Sequence, residues 1–146
     1  MGDLEDQNKS VVQQLGEALN GHRLDLLDDL VAADFVRHCQ ATPSVQVRSL
    51  DDFKRFLQED WAGAPDGQST VRFLVAEGEF VALYWTYKGT QTGQWGLLPP
   101  SGRCFELDVS GIFRVAGGKV AELWVTWDNL AVLRQLGHLP PLAAEA

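Results

Sequence analysis

The sequence predicts an α+β fold: three helices, then a run of antiparallel strands, then a short terminal helix. Two observations carry this expectation. Apolar residues recur at helical spacing as far as Trp61, and after the loop Gly63-Ala64-Pro65-Asp66-Gly67 the period falls from about 3.6 to two. Helices and strands are thus segregated along the chain, which places the helices on one face of a sheet. A third observation bears on shape. The strands after the loop are long, about eleven or twelve residues, so a strongly curved sheet capped by helices and enclosing a pocket is expected.

The first helix is read from Val11, Val12, Leu15, Ala18 and Leu19, and Asn20-Gly21 stops it. Leu24, Leu26, Leu27, Leu30 and Val31 make a short second helix, with Asp25, Asp28 and Asp29 as a solvated face rather than a metal site. Phe35 to Cys39 is a brief extended piece, closed by Ala41-Thr42-Pro43. Ser49 or Asp51 caps a third helix in which Phe53, Phe56, Leu57 and Trp61 share a face. Strands follow at Thr70–Ala76, Phe80–Thr90, Cys104–Val115 and Val120–Trp127, with tight turns at Glu77-Gly78-Glu79 and Gly117-Gly118. The loop from Gly93 to Gly102 carries Trp95, Leu97 and Leu98, apolar residues that fit a lid or a subunit contact. A helix over Asn129–Leu136 and a tail from His138 complete a single domain spanning residues 1–146.

A chain of 146 residues buries roughly 70% of its unfolded surface without metal or disulfide staples. A formal charge of −8 and the lack of a Lys/Arg run argue against nucleic acid and anionic membranes as partners. The two cysteines, Cys39 and Cys104, have no metal-ligand spacing and form no disulfide framework. The opening MGDLEDQNKS lacks the apolar core of a signal peptide, and no apolar run is long enough to span a bilayer. A cytoplasmic protein is expected.

Asp128 is the first candidate for a proton-handling group, because it stands at the end of the last strand beside Trp124 and Trp127. Asp is also a favoured helix N-cap, and that reading stays open. Strand alternation puts Glu122, Trp124, Thr126 and Asp128 on one face. Pairing Val115 with Val120 adds Phe113, Val109 and Leu107 to that face, unless a bulge near Gly111 exchanges the two sets. On the preceding strand Tyr84, Thr86 and Lys88 share one face and Leu83, Trp85 and Tyr87 the other; either can reach a cavity. His38 is a second acid/base candidate by residue type, imidazole being the side chain suited to proton transfer near neutrality, with a structural hydrogen-bonding role as the alternative.

The segments VALYWTYKGTQTGQWGLLPPSGR and SGIFRVAGGKVAELWVTWDNLAVLRQLG resemble the SnoaL-like polyketide (ester) cyclases. The matching parts are Gly89-Thr90 with Gly93, Pro99-Pro100 with Gly102, Phe113-Arg114 with Gly118-Lys119, and Trp124 with Asp128 and Gln135-Leu136-Gly137. The resemblance extends from the first helix to Gly137. It implies a cone-shaped α+β barrel of the nuclear-transport-factor-two-like superfamily. It also implies a cofactor-free enzyme that closes a ring of a hydrophobic polyketide by intramolecular aldol condensation, and a homodimer. By this resemblance Asp128 is the acid/base, His38 its pocket partner, and Trp124 a wall under the ligand. Gln91 stands where family members commonly carry His, and a neutral amide exchanges no proton near pH 7. Gln91, Tyr84, Trp85, Phe113 and Trp61 complete the expected substrate contacts. Two other readings compete: water addition of the epoxide-hydrolase type, and a non-catalytic module that binds a hydrophobic ligand or a partner.

Overall fold

The computed structural model describes residues 2–140, so the expected tail beyond Pro140 lies outside the described residues. Helix α1 (Asp3–Asn20) buries Val12, Leu15 and Ala18 along one stripe. Both its ends are tied to the sheet. Asn8 Nδ2 donates to Gly78 O at 3.0 Å, and Asn20 exchanges bonds with the Ser69 backbone, each 2.9 Å. The expected second helix is shorter than its leucines imply. A 3-10 turn at Leu24–Leu26 leads into one α-helical turn, α2 (Leu27–Leu30). Val31 then leaves the helix, because it is drawn into the sheet opposite Val120.

The stretch read as a brief extended piece is a full strand, β1 (Val31–His38). It pairs in parallel with β5, whose residues are about ninety positions away along the chain, at Arg37 with Leu123 and His38 with Trp124. Helix α3 (Leu50–Gly63) is capped by Ser49, whose Oγ accepts from Asp52 N at 3.0 Å. Strands β2 (Gln68–Glu77), β3 (Phe80–Thr90), β4 (Cys104–Ala116) and β5 (Lys119–Trp127) form the expected meander, and α4 (Asn129–Gln135) follows. Gly117 and Gly118 have φ of 60° and 79°, the left-handed pair that a tight hairpin turn requires.

The expected cone-shaped barrel with a strongly curved sheet is not what forms. The strands make an open five-stranded sheet in the order β1-β5-β4-β3-β2, with β1 and β2 as edges. Closure would need β2 to hydrogen-bond to β1, and no such ladder exists among the described residues. Strand length is taken up by local register shifts near Arg72, near Ala121 and along β1, not by curling the sheet shut. The helices cover one face only. Phe35 is fully buried there, tilted against Phe53 at 4.8 Å between ring centroids, a burial that contributes about 1.5–3 kcal/mol.

The loop between β3 and β4 is packed down at its glycines. Gly93 N donates to Gly63 O at 3.0 Å, and the Trp95 indole lies where a Cβ on Gly63 would be. Gly63→Ala is therefore expected to push Trp95 out of its seat and to destabilise the fold by about 1–3 kcal/mol. Chemical denaturation followed by total tryptophan fluorescence measures this. An unchanged midpoint would mean that the loop is not seated there.

Candidate active site

The register decides which side chains share a face. Val115 pairs with Val120 as expected, but Ala121 is an extra residue, so Arg114 pairs with Glu122 and Phe113 with Leu123. That bulge, three residues past Gly118 and not at Gly111, exchanges the two sets. Val109, Phe113, Leu123, Val125 and Trp127 face the helices; Trp124, Thr126 and Glu122 face away. Through β4, Leu83, Trp85 and Tyr87 join the helix-facing set, and Tyr84, Thr86 and Lys88 the outer one.

On the helix-facing side the central strands β4 and β5 bring no ionisable group from Val109 to Trp127. The charged and polar groups come from three other elements. Arg37 projects from β1, Asp60 from the last turn of α3 and Tyr87 from β3. Tyr87 Oη donates to Asp60 Oδ2 at 3.0 Å, and Trp95 Nε1 donates to the Asp60 carbonyl, also at 3.0 Å. The Arg37 guanidinium lies 4.2 Å from the centre of the Phe56 ring and 5.8 Å from that of Trp127. All of these side chains are half-buried, each with part of its surface left to solvent.

Desolvation dominates the titration of Asp60 and lifts it from 3.8 to about 6, against the opposing effects of the Tyr87 hydroxyl, the Arg37 charge and Trp95. Tyr87 is driven well above the usual phenol range, by burial first and then by the neighbouring Asp60 charge, so it remains a donor. Burial lowers the Arg37 pKa, opposed by Cys39 and Asp60, and the guanidinium keeps its charge.

A raised carboxylic-acid pKa means that the folded chain holds the proton more tightly than the unfolded one. The resulting stabilisation is present below about pH 4 and is lost as pH rises through about 6. Its size is on the order of 2–3 kcal/mol. Asp60→Asn keeps an oxygen for Tyr87 and removes the charge. Its gain in Tm over the parent is expected to be larger near pH 8 than near pH 4, and an equal difference at both would refute the enclosure of Asp60.

The residues expected from sequence are divided: His38, Trp124 and Tyr84 line one groove on the outer face, and the others lie elsewhere. Asp128 is exposed, and its Oδ1 accepts from Ala131 N at 3.0 Å as the N-cap of α4, so it does not sit in a dry chamber between indoles. His38 is on the outer face, with Nε2 2.6 Å from Glu122 Oε2 and its ring stacked on Trp124 at 5.3 Å. Trp124 and Tyr84 share that face, where with Phe73, Val75 and Ile112 they line an open groove of about 570 Å³. Phe113 is core. Trp85 and Trp61 lie on the helix side, Trp61 stacked on His22 at 4.3 Å. Gln91 is completely buried: its Nε2 donates to Pro99 O at 3.1 Å and its Oε1 is 2.8 Å from His138 Nε2. It braces the β3–β4 loop against the segment that follows α4, and its amide is fully engaged there.

Asp60 and Arg37 stand out in the sequence by position, whereas Tyr87 is already on a strand face that can reach a cavity. Asp60 falls seven residues after Phe53, four after Phe56 and three after Leu57, on the apolar stripe of its own helix. Arg37 is two residues from the buried Phe35 on the same strand face. A charge at a core-facing position is the informative exception to the pattern.

Comparison with known proteins agrees with this architecture. Residues 9–136 match the family described as SnoaL-like polyketide cyclase. IdmH from Streptomyces antibioticus is 32% identical, with 90% of this chain and 99% of that one covered and a TM-score of 0.79. TsrD from Streptomyces laurentii is 30% identical, covering 89% of this chain and 97% of that one, with a TM-score of 0.76. A SnoaL-like polyketide cyclase from Agrobacterium tumefaciens shares the fold at 21% identity, 89% and 98% coverage and a TM-score of 0.74. No curated protein matches the chain. Among the described residues no helix is long and apolar enough to cross a membrane. With a family match running from the first helix to Leu136, the chain belongs to the SnoaL-like polyketide cyclases.

Proposed function

We propose that this protein is an acid/base enzyme of the cyclase type, and that its substrate is a hydrophobic small molecule whose reacting carbon lies against Asp60. The observation that carries the reading is a carboxylate lifted to about 6 inside an aromatic recess. Above that pH Asp60 is ionised and can take a proton from a carbon flanked by carbonyls, leaving an enolate. The enolate carbon forms the new bond to a second carbonyl, whose oxygen becomes an alkoxide, and the Asp60 acid returns the proton to it. Tyr87 holds the carboxylate in place, and the walls exclude water and align the chain. Asp60, not Asp128, carries the proton in this reading, because Asp128 is exposed and engaged in the α4 cap. The test is a pH–rate profile on an aromatic polyketide bearing a 1,3-dicarbonyl. An acidic limb of kcat/KM near 6, absent in Asp60→Asn, supports the reading; a limb retained in that variant refutes it.

We further propose a cytoplasmic homodimer joined through the outer face of the sheet. Phe73, Val75, Phe80, Ile112 and Trp124 are all exposed there, at 67, 61, 45, 47 and 39%. An apolar surface of this kind on one sheet face is characteristic of an interface. Both cysteines are free, which fits a reducing compartment.

A further inference from the structure

We propose that Arg37 is the specificity-determining residue of the recess, and that it selects a ligand bearing a planar anion with two oxygens. This rests on the reading of the recess as the substrate site and names the chemical class the site takes.

Arg37 is held rigidly. Its backbone lies in the β1–β5 ladder, and its N–H donates to Val47 O at 3.0 Å, so β1 is clamped on both sides at this residue. Its guanidinium carbon lies over the Phe56 ring at 4.2 Å and within 5.8 Å of the Trp127 centroid, contacts that restrain the fork. Unlike Arg23, Arg55, Arg72 and Arg114, it forms no ion pair with a carboxylate among the described residues. Asp60 acts on it through space, while the Cys39 side chain is close enough to share one of its hydrogen bonds. A guanidinium carries five N–H donors, so most of the fork is left for a ligand. Its planar fork matches a two-oxygen anion, and the dry aromatic walls strengthen such a contact.

The geometry also divides the labour at the site. Tyr87 takes one oxygen of Asp60 and Trp95 the backbone carbonyl of the same residue, so the carboxylate is positioned without help from Arg37. Arg37 is thereby left for the ligand. A free carboxylate and the enolate of a 1,3-dicarbonyl present the same pair of oxygens, and either source satisfies the fork.

Two probe pairs test this by equilibrium binding, read as tryptophan fluorescence quenching. The first pair is 2-naphthoate against 2-naphthamide. The second is 2-acetyl-1-tetralone, whose enolate is also followed by absorbance, against 1-tetralone. The parent is expected to prefer the two-oxygen member of at least one pair by tenfold or more. Preference within the first pair assigns a carboxylate source, and within the second an enolate. Arg37→Met should abolish the preference and Arg37→Lys should keep only part of it, since an ammonium supplies charge without the fork. Asp60→Asn should tighten naphthoate and leave naphthamide unchanged, because a neighbouring negative charge is removed. Equal binding within both pairs by the parent protein overturns the proposal even if the variants do not fold, as does a preference that survives Arg37→Met. None of these measurements needs turnover, so loss of the catalytic reading of Asp60 would leave a distinct result.

Discussion

Asp60→Asn is expected to lower kcat/KM by about 10²–10⁴-fold, the usual contribution of a positioned general acid/base, while ligand affinity stays within about tenfold. The argument is one of position. Tyr87 needs an oxygen acceptor and Asn provides one, so the hydrogen bond that orients residue 60 persists and only the proton is lost. Asp128→Asn supplies the contrast. Asn caps helices as well as Asp does, so α4 should remain anchored and turnover should stay near that of the parent. If the Asp128 variant is inactive and the Asp60 variant is not, proton transfer belongs at the end of β5 and the recess is only a wall. Circular dichroism on both variants separates either result from a loss of structure.

Ile112→Asp should convert the protein from dimer to monomer. Ile112 pairs with Ala82 and Trp124 across the sheet, so it lies on the middle strand of the exposed apolar face. Burying about 800 Å² per partner is what a specific interface ordinarily requires. An unpaired carboxylate at its centre would cost several kcal/mol, enough to dissociate a micromolar to nanomolar dimer. Sedimentation equilibrium measures the change. Leu97→Asp is the control: Leu97 is 97% exposed, but on the β3–β4 loop, away from the sheet face. A parent protein that sediments as a monomer would refute the dimer, and dissociation caused by Leu97→Asp instead would move the interface off the outer face.

The interior of this chain differs from a polar pocket distributed over the central strands. From Val109 to Trp127 the helix-facing positions of β4 and β5 are apolar or glycine, and the ionisable groups sit on β1, α3 and β3. Family membership thus carries the fold, while the chemistry must be argued from Arg37, Asp60 and Tyr87 themselves. The loop that brings Trp95 to the Asp60 carbonyl is held at Gly63 on one side and by Gln91 with His138 on the other.

The sequence by itself determined the order of the elements, a helix cap at Ser49 or Asp51, the Gly117-Gly118 turn, the strand boundaries to within a few residues and the family. These are written in spacing of a few residues, where local backbone preferences act. Only the tertiary structure decided that the sheet stays open, that β1 is a fifth strand, and that Asp128, His38, Trp124 and Tyr84 lie outside the helix-covered space. The reason is physical. A single extra residue at Ala121 inverts every side chain beyond it, and a parallel pairing about ninety residues apart leaves no local trace. Asp60 was legible as a charge on an apolar stripe, but its worth depended on Tyr87, Trp95 and Arg37 converging on it from three distant parts of the chain.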